Sequence, residues 1–148
     1  MPVAADYTAV DPTGLRLSAP AFYEESVMSA DLYRKIEVSN NDLVTVATFK
    51  DSKILDEGAL DELNVELLRL INDRAGIELL LDFHNVEFMS SAMLGLLGKI
   101  HRKVGGLKGK LKMCSIRPQI YEVFKLTNLN KLFSIHKDEA EALAAFAQ

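Results

Sequence analysis

The sequence predicts an α/β domain, a parallel or mixed sheet with helical cover, and three observations carry that expectation. From Tyr33 to Phe146, segments with the period of a strand alternate with segments with the period of a helix. Ile77 to Phe83, centred on Leu79, Leu80 and Leu81 and closed by Asp82, is an apolar run of the kind found in strands covered on both faces. The chain has 148 residues, 49% of them hydrophobic, which suits one domain of ordinary size with a core large enough to need neither disulfides nor a structural metal.

The elements follow in order. Residues 1–30 hold Pro2, Pro12 and Pro20 and no sustained period, so they read as an N-terminal arm, leaving residues 31–148 as the folded domain. Ile36 and Val38 alternate with Lys35 and Glu37, Asn40 to Asp42 make a turn, and Leu43 to Phe49 is rich in β-branched residues; together they predict a hairpin. Asp56 to Arg74 sets Leu60, Leu63, Leu67 and Ile71 on one helical stripe, with Glu66 off it and Gly76 as the expected stop. Ile77 to Phe83 is the central strand. Ser90 to Val104 carries Leu94, Leu97, Ile100 and Val104 at helical spacing, with Gly105 and Gly106 to end it.

Leu111 to Ser115 alternates as a further strand, and Pro118 opens a helix with Ile120, Val123, Phe124 and Thr127 on one side. A short strand at Leu132 to Ile135 and a helix from Asp138 to Phe146 complete the alternation. The expected core is Val44, Val46, Leu63, Leu67, Leu79, Leu81, Leu97, Val123 and Phe124.

Charge and motifs exclude several classes of function. Seventeen Lys and Arg against 21 Asp and Glu leave a net charge of -4, the wrong sign for holding nucleic acid by phosphate neutralisation. No apolar stretch reaches the roughly 18 residues of a membrane span, and the N-terminus lacks the basic start and apolar core of a secretory signal. With a single cysteine, Cys114, a reducing compartment is expected, and so a cytoplasmic protein with no membrane partner. Cys114 reads as a small core residue. His84, His101 and His136 lie too far apart to suggest a metal site, and no metal or cofactor is expected. The stretch from Lys99 through Arg102, Lys103, Lys108 and Lys110 to Lys112 contains no acid and reads as a solvated helix end and loop. There is no phosphate loop, no dinucleotide fingerprint and no nucleophile elbow, since Met89 and Met93 flank Ser91 where glycines would stand. The expectation is a binding protein rather than an enzyme.

The informative stretch is residues 79–97, where a buried strand gives way through a short turn to a helix. Ser90 and Ser91 sit in that turn. A serine here caps backbone N–H groups, which accounts for one of the two. The other is a hydroxyl in the strand-to-helix turn of an α/β sheet, beside an apolar first turn of Ala92, Met93 and Leu94. A phosphate there would be favoured by the helix N-terminus and would add ~1.5 to 2 negative charges to an expected apolar patch.

From about Tyr33 to Phe146 the chain resembles a STAS domain of the anti-sigma-factor antagonist type. Asp82, Val86, Phe88, Met89, Ser91, Leu94 and Gly95 fall on that family's strand-turn-helix pattern, and Ile116 to Pro118, Val123-Phe124, Leu126-Thr127, Leu129 and Leu132-Phe133 on its later part. The sequence departs at three positions: Ser90 where the family has Asp, Ala92 where it has Ser or Thr, and Met93 where it has Gly. The resemblance implies a mixed, mostly parallel sheet with helices largely on one face. It also implies that Ser91, or Ser90 if the register shifts by one, is phosphorylated by a partner serine kinase. The implied partner is an anti-sigma factor or switch-type serine kinase, with a phosphatase to reset the mark, and Asp82, Ser90, Ser91, Met93 and Leu94 as the binding residues. The alternative is a scaffold STAS subunit, never phosphorylated, in a larger signalling complex.

Overall fold

The computed structural model describes residues 33–147 and, separately, the backbone of a strand pair near the N-terminus. That pair, Thr8–Val10 (β1) and Arg16–Leu17 (β2), is antiparallel. The rest of the expected N-terminal arm lies outside the described residues. The chain divides into two units, Met1–Arg34 and Lys35–Gln148.

The second unit is a five-stranded mixed sheet. Ile36–Asn41 (β3) and Val44–Phe49 (β4) form the expected antiparallel hairpin, turned at Asp42, whose φ of 55° is a left-handed conformation that Asp tolerates better than most residues. Glu78–Asp82 (β6), Lys110–Cys114 (β8) and Ser134–His136 (β9) then add in parallel, in the spatial order β3-β4-β6-β8-β9. The central place belongs to β6, as its apolar run requires. Two further short strands, Lys53–Ile54 (β5) and Phe88–Met89 (β7), pair in parallel outside this sheet.

Helix Glu57–Ile71 (α1) is capped by Asp56, whose carboxylate accepts the Ala59 N–H at 2.7 Å. It ends at Asn72 and not at Gly76. Asn72 takes the left-handed conformation and returns its N–H to the Leu68 carbonyl, while Gly76 serves the next turn at φ 73°. The expected stripe is buried, and Glu66, expected outside it, is buried too, because its carboxylate accepts the Lys35 N–H at 2.9 Å. Helix Ser91–Gly106 (α2) takes Gly105 and Gly106 into its last turn rather than stopping before them. Pro118–Leu126 (α3) starts on its proline as expected, and Glu139–Phe146 (α4) is capped by Asp138.

Alternation along the strands divides the core into two layers. Val44, Val46, Leu80 and Cys114 pack with Ala142 and Phe146 of α4. Leu79, Leu81, Leu111 and Met113 point to the other face and are buried on the side of α1 and α2. An aromatic chain runs from Phe49 to Phe83 (ring centroids 4.8 Å), to Phe124 (6.5 Å) and to Phe133 (5.9 Å).

Two further expectations need correction. Val123 is 37% exposed, because Ile120 and Phe124 define the inward stripe of α3 and Val123 lies at its margin. The last strand begins at Ser134 rather than Leu132, because Phe133 turns inward against Phe124 and His101 and leaves Leu132 exposed.

Leu81→Ala should lower the unfolding free energy by ~2 to 5 kcal/mol through lost transfer energy and a cavity. In the turn, where Leu43 is 86% exposed, Leu43→Ala should change it by no more than ~0.5 kcal/mol. Gly109→Ala should also destabilise, since a Cβ there would lie 2.3 Å from the Ile77 carbonyl oxygen. Urea denaturation of the three variants reads these differences.

Candidate functional site

The turn from β6 to α2 is held by main-chain and side-chain bonds together. Asp82 ends β6 with its carboxylate buried; Oδ1 accepts the His84 N–H at 3.0 Å and faces the His84 Nδ1 at 3.0 Å. The Asn85 side-chain amide donates to the Phe49 carbonyl, and Val86, fully buried, donates its N–H to the Phe83 carbonyl. The Ser52 carbonyl then accepts the N–H groups of Glu87 (2.8 Å) and Phe88 (3.0 Å), and the Ile54 carbonyl accepts that of Ser90 (2.9 Å). From the other side α3 reaches in: Arg117 Nη2 donates to the His84 carbonyl at 3.1 Å, and Gln119 Nε2 to the Glu87 carbonyl at 3.5 Å.

This scaffold sets the two serines in different surroundings. Ser91 is the first residue of α2 and is exposed. Ser90 holds the capping position by its backbone, accepting the Met93 N–H at its carbonyl, but its side chain makes no capping bond. Its Oγ is buried without a hydrogen-bond partner among the described residues. The capping explanation of the pair therefore accounts for neither hydroxyl.

The expected apolar patch on the first turn of α2 is not there. Met93 is 0% exposed and Leu94 is buried, since both fall on the stripe that continues through Leu97, Ile100 and Val104. Neither side chain, nor the buried Asp82, is offered to a partner in this conformation. Asp82 instead holds the turn. Of the five expected binding residues, only Ser91 stands fully at the surface.

The exposed apolar surface lies alongside instead. Lys53, Leu55, Glu87, Phe88, Met89, Gln119, Ile120 and Val123 line an open groove of about 490 Å³. Phe88 is 50% exposed, Leu55 and Val123 are exposed with it, and the Lys53 ammonium stands 5.9 Å from the Phe88 ring centroid. Ser91 follows β7, the wall of this groove, by two residues. Sequence reasoning missed the groove because the pairing of β5 with β7 is only two residues long on each side. The one available signal was Leu55, apolar and out of phase beside the buried Ile54.

Among the described residues, no group of His, Cys, Asp and Glu could hold a metal ion, and no helix is long and apolar enough to cross a membrane. Of the basic stretch, Lys103 pairs with Asp73 across 2.5 Å, and Lys112 turns to β9, donating to the Ser134 hydroxyl at 3.2 Å.

The family model of the STAS domain matches residues 35–142. An anti-sigma F factor antagonist of Paenibacillus polymyxa is 24% identical over 89 residues, covering 60% of this chain and 76% of that protein. Among solved structures, an anti-sigma-factor antagonist (STAS) domain protein of Planctomyces limnophilus superimposes with a TM-score of 0.71 at 24% identity, over 76% of this chain and 98% of its own. The Bacillus cell fate determinant SpoIIAA in its phosphorylated form does so with a TM-score of 0.56 at 17% identity, over 75% and 98%. The fold is therefore the STAS fold.

Cys114 lies behind the site, opposite Asp82 across the ladder between β6 and β8. Burial, with the neighbouring Asp82 charge adding to it, pushes its thiol up from 9.0 to about 12. The folded chain should resist iodoacetamide at pH 8 and become reactive on unfolding in urea, which mass spectrometry reads directly. The unfolded chain sheds this proton near 9.0 and the folded chain near about 12. Its contribution to stability is thus intact below pH 9 and drains away as the pH rises toward 12, so urea midpoints should fall over that window less in Cys114→Ala than in the parent.

Proposed function

Because the chain belongs to the STAS domain family, we propose that it is a regulatory protein-binding module that sequesters an anti-sigma factor or switch-type serine kinase, and that phosphorylation of Ser91 releases the partner. The carrying observation is the placement of Ser91: an exposed hydroxyl on the first residue of α2, next to an apolar groove and on a turn tied down from both sides. Two relatives bearing the antagonist name, and a neighbour of the same fold solved in a phosphorylated form, support the reading.

The chemistry is switching by charge. A phosphate on Ser91 would rest on the positive end of α2, where negative charge is favoured by ~0.3 to 1 kcal/mol, so the domain stays folded. At an interface that covers Phe88, Leu55 and Val123, the same charge would have to be desolvated without a counter-ion, at several kcal/mol. That loss corresponds to an affinity drop of about 100-fold or more. A phosphatase resets the cycle. In this cycle the kinase supplies the phosphoryl transfer and the protein is its substrate, in the cytoplasm.

The test starts from capture of the partner kinase or anti-sigma factor on Ser91→Ala and parent protein in native lysate. With the captured partner purified, Ser91→Ala should bind and resist phosphorylation, Ser91→Glu should melt within about 3 °C of the parent and bind about 100-fold more weakly, and Phe88→Ser should lose about tenfold or more in affinity with its fold intact. Phosphate found on Ser90 would move the switch by one residue. Stable association with neither serine labelled would replace the switch with a scaffold.

A further inference from the structure

A second hydroxyl is set up for chemistry at the edge of the sheet. Ser134 and His136 of β9 share a face, and Lys112 of β8 is the register partner of Ser134. The three side chains, each half-buried, converge: Ser134 Oγ lies 3.0 Å from His136 Nε2 and accepts from Lys112 Nζ at 3.2 Å. The ammonium also stands 5.4 Å from the centroid of Phe146 in α4, which places the cluster on the α4 side of the sheet.

Donor and acceptor capacities set the roles. An ammonium can only donate, so Lys112 occupies a lone pair of the Ser134 oxygen. In the tautomer that carries its proton on Nδ1, His136 Nε2 accepts the hydroxyl proton across this 3.0 Å contact, and that is the form in which the cluster can act. This is the arrangement of a hydroxyl nucleophile and its base, with a cation at the oxygen where negative charge develops.

We propose that Ser134 is an activated nucleophile that takes an acyl group from activated esters, with His136 as proton acceptor and Lys112 as charge partner. In the step, the Ser134 Oγ–carbonyl carbon bond forms as the ester carbon–oxygen bond breaks. The hydroxyl proton passes to His136 Nε2 and from there to the departing alkoxide, leaving an acyl ester on Ser134.

The probe is p-nitrophenyl acetate, followed by peptide mass mapping and by release of nitrophenolate. Ser39 on β3 and Ser52, both exposed, are internal references. Ser134 should acetylate about 100-fold faster than either, the low end of what a positioned base provides. His136→Gln should remove most of that advantage and Lys112→Met part of it, with melting temperatures unchanged, and Ser134→Ala should abolish the rapid nitrophenolate release. Acetylation of Ser134 at the rate of Ser39, or a rate unmoved by His136→Gln, would overturn the proposal.

Discussion

Strand β6 must be paired along both edges and covered on both faces, and the rest of the second unit arranges itself around that requirement. Leu79, Leu80 and Leu81 have no solvent-facing side, so helices are needed above and below. The parallel pairing on both edges means that each neighbouring strand is reached by a helical crossover. From β4 onward every strand of the sheet runs the same way, so the carboxyl ends of β4, β6 and β8 gather on one rim. The turn that carries Ser91 leaves from that rim.

Asp82 shows how that strand hands order to the surface. A carboxylate in the interior is costly unless hydrogen-bonded, and here the His84 main-chain N–H donates to it, with the imidazole Nδ1 at the same 3.0 Å. The bond fixes the direction in which the chain leaves β6. Asn85 and Val86 lock the next residues to Phe49 and Phe83. By the time the chain reaches Ser91 it has been pinned at the end of β4, at Ser52 and at Ile54, and α2 can start in only one place. The residues that build the turn are therefore mostly not the residues exposed on it.

That division explains what could be read in the sequence. The strands and helices were legible because their apolar residues recur with period 2 or 3.6, and the turn was legible from the resemblance around Asp82, Val86 and Ser91. Exposure at the start of α2 was not. Met93 and Leu94 look like a surface patch when taken with Ala92, and only the phase of the whole helix, carried back from Leu97, Ile100 and Val104, turns them inward. Val123 failed for the opposite reason: it is in phase with Ile120, but the margin of a short helix is decided by how far neighbouring elements reach. The groove and the Ser134 cluster depend on contacts between distant segments, β5 with β7 and β8 with β9, and one-dimensional periodicity carries no record of them.

The pairing of β5 with β7 is small, but it separates geometry from identity. Ser52 and Ile54 hold Glu87, Phe88 and Ser90 through carbonyl and N–H groups that every residue except proline possesses. Substitutions along this segment can rewrite its side chains while the thread that carries them stays put. Ser90 and Ala92, each different from the residue usual at its place in the family, are tolerated by such a tether. A lineage can thus vary the side chains displayed at this turn without first solving the folding problem again.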